Sequence, residues 1–203
     1  MIIWLNGAFG VGKTQTAHEL GRRVAGAYVS DPEVLGFALH RMLPGPARGD
    51  FQDLPEWREG VRRALRRAAE ADRAPLIVPM TLVRDEYFDE IIGGLRADGV
   101  DVRHYALVAS PATLRRRLQR RSAYVLGKLI GRDETWGIQQ IERCVRALEQ
   151  ERYATHVDTE NRSIAEVAEH IAADLGLPLV RPRLGPIAAP LTRLGVAVRH
   201  IRT

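Results

Sequence analysis

The chain has 203 residues, of which 45% are hydrophobic and 27% are charged, and a formal net charge of +5. This length suits one domain, and the positive charge suits an anionic ligand, nucleic acid or an acidic membrane surface without choosing among them. Cys144 is the single cysteine, which excludes an internal disulfide and favours a reducing cytoplasm, and no apolar stretch is long enough to span a bilayer.

A phosphate-binding loop directly follows the first predicted strand. Residues 2–5 are apolar and predict a strand, and residues 13–25 predict a helix. Strand, glycine-rich loop and helix in this order are the context that the motif requires. The opening apolar run is too short for a secretory signal. The residues that we expect to bind nucleotide are Gly7, Ala8, Phe9, Gly10, Val11, Gly12, Lys13, Thr14 and Gln15.

The chemistry of this loop predicts ATP and Mg²⁺ as cofactors. Glycines let backbone N–H groups close around phosphate oxygens, and the helix N-terminus adds a positive dipole end. Lys13 is expected to reach the β- and γ-phosphates, and the Thr14 hydroxyl to ligate Mg²⁺. Lysine occurs elsewhere only at Lys128, so a compact ammonium is indicated in the loop.

Short apolar strands alternate with amphipathic helices along the chain, which predicts an α/β fold with a five-stranded parallel sheet flanked by helices. Kinases of small molecules and nucleotides have this arrangement. The predicted strands are 2–5, 27–30, 76–80, 103–108 and 156–158. The predicted helices are 13–25, 32–42, 56–72, 85–98, 111–121, 135–151 and 163–175. Residues 44–53 and 124–134 predict flexible segments.

Residues just beyond the strands are candidates for catalysis, because ligands gather at the carboxyl ends of parallel strands. Asp31 follows the second strand, where its carboxylate serves as catalytic base, holds Mg²⁺ through water, or caps the next helix. The third strand ends at Met80 and Thr81 without an acidic Mg²⁺ ligand, which argues against motor ATPases and switch GTPases. Thr81 either lines the acceptor pocket or caps the strand.

The helix predicted after the fourth strand is rich in arginine. Its basic residues are Arg115, Arg116, Arg117, Arg120 and Arg121. Arg117 and Arg121 are four residues apart and share a face, so we expect them to bind the ATP phosphates beside a lid at residues 120–135, with Arg132 as a further candidate. The alternative is a solvated basic face.

Residues 44–72 lie where similar small-molecule kinases have an acceptor-binding region, which makes this segment a candidate for the same role. Phe51, Leu54 and Trp57 are candidates to contact an apolar acceptor, with helix packing as the alternative. Cys144 lies on a helical pattern with Ile141, Val145 and Leu148, which predicts core packing.

Several blocks of the sequence together resemble the bacterial tunicamycin-resistance ATP-binding protein family. The blocks are residues 2–17, 31–33, 36–39, 76–81, 86–93 and 140–145. The resemblance implies a kinase-like fold that confers resistance to tunicamycin, a fatty-acylated nucleoside antibiotic. It places Phe37, within one of these blocks, among the acceptor-binding candidates with Asp31, Phe51, Trp57, Met80 and Thr81.

Three functions remain compatible with these residues. The first is ATP-dependent phosphorylation of a tunicamycin hydroxyl, as the similar chloramphenicol phosphotransferases do to their own drug. The second is ATP-dependent sequestration of the drug without chemistry, and the third is a kinase for another metabolite. Nucleic acid is not an expected partner, because no base-stacking platform or recognition motif is evident.

The C-terminal residues suggest that the protein can attach to a membrane surface. We predict a kinase-like domain at 1–180, followed by a connector and a basic amphipathic helix at 181–203. Its apolar stripe is Ile187, Leu191, Leu194, Val198 and Ile201. Such a helix lies on an acidic membrane surface, or packs against its own domain or a partner. The expected location is therefore cytoplasmic, with peripheral attachment to the inner face of the cell membrane as one alternative.

Overall fold

The sheet of this protein has five parallel strands in the order β2-β3-β1-β4-β5. The computed structural model describes residues 1–124 and 131–184, and the side chains of 1–120 and 137–184. The strands are β1 (Ile2–Gly7), β2 (Tyr28–Val29), β3 (Leu76–Pro79), β4 (Val102–Val108) and β5 (His156–Asp158). The predicted five-stranded parallel sheet is confirmed.

Helices cover both faces of the sheet. They are α1 (Lys13–Arg23), α2 (Glu33–Met42), α3 (Pro55–Ala71), α4 (Asp85–Phe88), α5 (Gly94–Ala97), α6 (Pro111–Tyr124), α7 (Gly131–Leu148) and α8 (Ile164–Asp174). A π-helical segment, Asp89–Gly93, joins α4 to α5, so the single helix predicted at 85–98 contains a local change of winding. Ser163 and Glu166 form the capping box expected from their spacing at the start of α8.

Two helix boundaries correct the prediction near the proposed lid. Helix α6 continues to Tyr124, and α7 already begins at Gly131, so part of the segment predicted to be flexible is helical. Residues 125–130 lie outside the described residues, as does the predicted C-terminal helix. No helix in the described part of the chain combines the length and apolar character needed to cross a bilayer.

Side chains of successive β1 residues point to opposite faces of the sheet, and each face carries a buried apolar core. Ile3 and Leu5 join one buried cluster, with residues of α1, α6, α7 and α8. Ile2 and Trp4 join the other, with residues of α3 and of the helical segment 85–97. Cys144 is 2% exposed within the first cluster, which confirms its predicted packing role.

Because all five strands run parallel, their carboxyl ends lie at one edge of the sheet. This edge carries the phosphate loop after β1 and Asp31 shortly after β2. It also carries Thr81 after β3 and the loop that begins at Thr159 after β5.

Candidate functional site

The phosphate loop is shaped by glycines that no other residue replaces without strain. Gly7 has φ 152° and Gly12 has φ 105°. A Cβ at Gly7 would lie 2.6 Å from Val11 Cγ1, and one at Gly12 would lie 2.8 Å from Ile164 Cδ1. The loop is thus a tight backbone cradle of the kind that accommodates phosphate groups.

Lys13 lies within this cradle. Its Nζ donates to the carbonyl oxygens of Gly7, at 2.9 Å, and Ala8, at 3.2 Å. The ammonium is also 5.4 Å from the centre of the Phe9 ring. These acceptors are carbonyl groups of the loop itself, and the contact of Lys13 with the β- and γ-phosphates stays a prediction.

A buried amide, Asn6, fixes the root of the loop. Its Oδ1 accepts from the backbone N–H of Gly7, at 2.8 Å, and of Leu82, at 3.0 Å. Its Nδ2 donates to the Leu82 carbonyl at 2.7 Å and lies 3.1 Å from His104 Nε2. Every donor and acceptor of this fully buried side chain is therefore satisfied.

The neighbours of Asn6 define the protonation of His104. Because the Asn6 amide nitrogen only donates, Nε2 of the ring accepts, and the ring proton lies on Nδ1, 3.3 Å from the Ala154 carbonyl. Burial lowers the pKa of His104 to about 4, with Arg96 and His156 acting in the same direction. This residue had no predicted role, because its partner Asn6 lies on a different strand, 98 positions away in the sequence.

Thr81 completes the connection between the end of β3 and the phosphate loop. Its side chain is 6% exposed, and its hydroxyl donates to the Gly7 carbonyl at 2.8 Å. This is the strand-end role that the sequence left open beside acceptor binding.

Asp31 lies at the predicted edge of the sheet and caps a helix. Its Oδ1 accepts from the backbone N–H of Glu33 at 3.0 Å, in the first turn of α2. The side chain is partly exposed, so a carboxylate oxygen can cap the helix while the group also faces solvent. The proposed base role stays a prediction.

Arg117 makes contacts different from those expected. Its guanidinium donates to Thr159 Oγ1 at 3.2 Å, to the Thr159 carbonyl at 2.6 Å and to the Glu160 carbonyl at 3.2 Å. Burial lowers the pKa of Arg117. In this arrangement the residue holds the loop that follows β5, because its guanidinium donates to two successive carbonyl groups there. Its phosphate role stays a prediction.

Glu160 reinforces the same loop from the opposite side. Its carboxylate accepts from the backbone N–H of Ser110 at 2.7 Å and from the hydroxyls of Ser110 at 3.0 Å and Thr113 at 2.5 Å. The bond from Thr113 and those from Ser110 lower the pKa of Glu160. Glu160 thereby caps the N-terminus of α6, a role that sequence spacing did not reveal.

The remaining arginines divide into two groups. Arg115 pairs with Glu142 of α7, and Arg116 donates to Thr113 Oγ1 at 2.9 Å. The side chains of Arg121 and Arg132 lie outside the described residues, as do residues 125–130 of the predicted lid.

The aromatic residues predicted to bind the acceptor pack against one another. The Phe51 ring centre lies 5.2 Å from that of Trp57 and 6.1 Å from that of Phe37. Trp57 is completely buried, and its Nε1 donates to the Pro32 carbonyl at 3.0 Å. Met80 is 2% exposed in the same core cluster. Trp57 and Met80 thus serve packing, whereas Phe37 and Phe51 are partly exposed.

A polar cluster that sequence analysis missed lies beside this aromatic group. The Tyr87 ring is flanked by the guanidinium groups of Arg58, at 4.4 Å, and Arg84, at 4.5 Å. Asp53 accepts from the Tyr87 hydroxyl at 2.5 Å and from Arg84 at 3.0 Å. These bonds attach the 3-10 turn Phe51–Asp53 to the residues that follow β3.

A cavity of about 550 Å³ opens beside the phosphate loop at the end of β4. Ala8 and Leu107 contribute to its floor, and Val145 and Leu148 of α7 to its wall, with Glu149 among the charged lining residues. Its lining of apolar and charged residues provides a concave surface at the carboxyl edge of the sheet.

Comparisons with known proteins agree with this geometry. A family model described as AAA domain matches residues 2–128. The structure of the Deinococcus radiodurans tunicamycin resistance protein is similar, with a TM-score of 0.73 and 34% identity over 89% of this chain and 99% of that chain. No curated protein matches the sequence.

Two more distant structures share the fold alone. A gluconokinase from Sinorhizobium meliloti 1021 has a TM-score of 0.59 and 16% identity over 86% of this chain and 90% of that chain. The Mycobacterium tuberculosis APS kinase, in complex with AMPPNP and APS, has a TM-score of 0.50 and 20% identity over 86% of this chain and 96% of that chain.

Proposed function

Because this chain belongs to the AAA domain family and to the family of the tunicamycin resistance protein of Deinococcus radiodurans, we propose that it transfers the γ-phosphate of ATP to a hydroxyl of a tunicamycin-like nucleoside. The observation that carries the proposal is a complete phosphate loop, with Lys13 inside it, in a chain of this family. The kinase-like fold supports the reaction type.

Within this proposal, the loop binds the donor. Backbone N–H groups of residues 7–14 would surround the phosphate oxygens, and Lys13 would neutralise charge that develops on the transferred group. The tight cradle at Gly7 and Gly12 fits a phosphate chain. Mg²⁺ would accompany ATP, with the Thr14 hydroxyl as its protein ligand, and would supply charge neutralisation between the phosphates.

Asp31 is the proposed general base. It would accept the proton of the acceptor hydroxyl as the oxygen attacks phosphorus, and ADP would leave. Phe37 of α2 and Phe51 of the 3-10 turn Phe51–Asp53 offer partly exposed aromatic surface for an apolar portion of the acceptor.

The decisive experiment measures the mass of tunicamycin after incubation with the protein and Mg-ATP. The proposal expects a gain of one phosphate together with ADP release. Asp31→Asn should reduce the rate by about 10² to 10⁴-fold, because the amide keeps an oxygen for the Glu33 N–H but is not a base.

Asp72→Asn is the matched control for this variant. Asp72 Oδ1 accepts from the backbone N–H of Ala74 at 2.9 Å, the same local geometry at the opposite end of β3, so its replacement should leave the rate unchanged. If tunicamycin stays unmodified but binds the protein more tightly when ATP is present, the function is sequestration of the drug and not phosphorylation. ADP release with another acceptor but not with tunicamycin would indicate a metabolite kinase.

We also propose peripheral attachment to acidic membranes through the apolar stripe predicted between Ile187 and Ile201. Removal of the residues after Arg183 should abolish co-sedimentation with vesicles that contain acidic lipids. Unchanged co-sedimentation of the truncated chain would reject this attachment.

A further inference from the structure

The Gly7 carbonyl oxygen receives donors from two different parts of the chain. Lys13 Nζ lies 2.9 Å from it, and Thr81 Oγ1 lies 2.8 Å from it. Lys13 belongs to the phosphate loop itself, whereas Thr81 belongs to the segment after β3. The same oxygen thus connects the group expected to bind phosphate with a buried hydroxyl outside the loop.

These two donors differ in their freedom to leave. The lysine has a long flexible side chain and would have to turn from carbonyl oxygens toward the β- and γ-phosphates when nucleotide binds. Thr81 is 6% exposed. Its segment is also held by the two bonds between the Leu82 backbone and Asn6. The Thr81 hydroxyl therefore keeps its bond to the Gly7 carbonyl when the Lys13 ammonium leaves that oxygen.

A carbonyl in a buried position is costly when no donor reaches it. If Lys13 alone served Gly7, transfer of its ammonium to phosphate would leave that oxygen unsatisfied, and part of the binding free energy would be lost. The Thr81 hydroxyl avoids this loss, because it already donates to the Gly7 carbonyl before Lys13 leaves.

We propose that Thr81 is a positioning residue for the phosphate loop, which keeps the Gly7 carbonyl satisfied so that Lys13 is released to the nucleotide. This inference rests on the nucleotide-binding part of the proposed function and is independent of which acceptor is phosphorylated. It assigns Thr81 a part in donor binding, where the sequence offered acceptor binding or a strand cap.

The same segment also reaches the opposite side of the site. Beyond Leu82, Arg84 donates to Asp53 at 3.0 Å, in the region predicted to hold the acceptor. Thr81, together with the two bonds between Asn6 and Leu82, thus attaches the acceptor side to the root of the donor loop. A shift of its hydroxyl bond would change the spacing between the two sides.

The first test is a double-mutant cycle on unfolding in urea without nucleotide, with Thr81→Val, Lys13→Met and the pair. In the single Thr81→Val variant, Lys13 still serves the Gly7 carbonyl. In the pair nothing replaces the two lost donors, so the unfolding equilibrium should shift by a further factor of about five beyond the product of the single effects. Additive effects would overturn the shared-acceptor role.

The second test measures the binding of AMPPNP with Mg²⁺ in the full-length protein. Thr81→Val should raise Kd about fivefold, and Thr81→Ser, which keeps the hydroxyl, should restore the value of the unmodified chain. Equal affinity of the Val and Ser variants would reject the role. If the Val variant folds poorly, the Ser variant compared with Thr81→Ala gives the same contrast.

Neither readout requires phosphate transfer. Failure to phosphorylate tunicamycin therefore leaves both tests valid, and failure of these tests leaves the kinase proposal intact.

Discussion

The loops that follow β1 and β5 are both held by side-chain hydrogen bonds, but the chemistry of the two networks differs. At the root of the β1 loop the bonding groups other than the Lys13 ammonium are neutral and buried: the Asn6 amide, the His104 ring and the Thr81 hydroxyl. At the β5 loop they are charged and more exposed: the Arg117 guanidinium and the Glu160 carboxylate.

This difference predicts different sensitivities. A buried neutral network depends on complete satisfaction of each polar group and is barely screened by salt. An exposed charged network gains little from any single pair and weakens as ionic strength rises. The root of the loop that is expected to contact the nucleotide phosphates is thus held, apart from the Lys13 bonds, by bonds that the ionic strength affects little.

The largest expected effect comes from Asn6→Leu. This change leaves the N–H groups of Gly7 and Leu82 and the Leu82 carbonyl without their side-chain partner, so the free energy of unfolding should fall by about 3 to 6 kcal/mol in urea titrations. Asn161→Leu, the same substitution at an exposed site in the β5 loop, is the control and should change stability little. Comparable losses in both variants would remove the distinction between the loops.

The second effect concerns pH. The pKa of His104 is lowered from 6.5 to about 4 in the folded protein. Between these pH values His104 is therefore protonated in the unfolded chain and neutral in the folded protein. The free energy of unfolding should therefore decrease by about 3 kcal/mol as pH falls from 6.5 to 4, and be fully retained above 6.5.

His104→Gln should flatten this dependence, because glutamine offers an acceptor to Asn6 and does not titrate in this range. His170→Gln, at an exposed position of α8, is the control and should retain the slope, since His170 does not contribute to the pKa of His104. A pH profile that is identical in the His104 variant and the unmodified chain would contradict the prediction. Urea unfolding at several pH values provides the measurement.

The third effect is a substitution in the β5 network. Arg117→Met removes three donors from Thr159 and Glu160 and should lower the free energy of unfolding by about 1 to 3 kcal/mol, with a smaller change in KM for ATP. Arg120→Met, at an exposed position of the same helix, is the control. A large rise in KM for ATP with unchanged stability would instead support the prediction from the sequence that Arg117 contacts the ATP phosphates.

The smallest effect is produced by salt. At about 1 M NaCl the screening length falls to about 3 Å. Hydrogen exchange at the Ser110 amide, which donates a hydrogen bond to the Glu160 carboxylate, should therefore accelerate a few-fold. Exchange at the Gly7 and Leu82 amides, bonded to Asn6, should change less. Equal acceleration at all three amides would show that charge does not distinguish the two networks.

The elements of this fold follow from short-range patterns, and the sequence therefore predicts them well. Apolar runs identify β1, β3 and β4 because they are buried on both faces, and the glycine spacing identifies the phosphate loop together with Lys13. Helix boundaries near Tyr124 and Gly131 were displaced because glycine and charge there resemble a loop.

Site contacts depend on pairings between distant residues, and those were not predictable. Arg117 was recognised as basic, but its partners lie beyond β5. Trp57 was considered for ligand contact because it is aromatic, yet it packs under Phe51 and bonds to Pro32. Asn6 and His104 meet only after β1 and β4 pair, so neither position signals the other.

The central place of β1 in the sheet has a consequence for synthesis on the ribosome. This strand precedes both of its partners, which begin at Leu76 and Val102, so its two edges remain unpaired until the segment through β4 has emerged. Unpaired apolar strand edges invite wrong associations in nascent chains. Because these long-range pairings must also close large loops, we expect slow folding and a need for chaperone protection before β4 is complete.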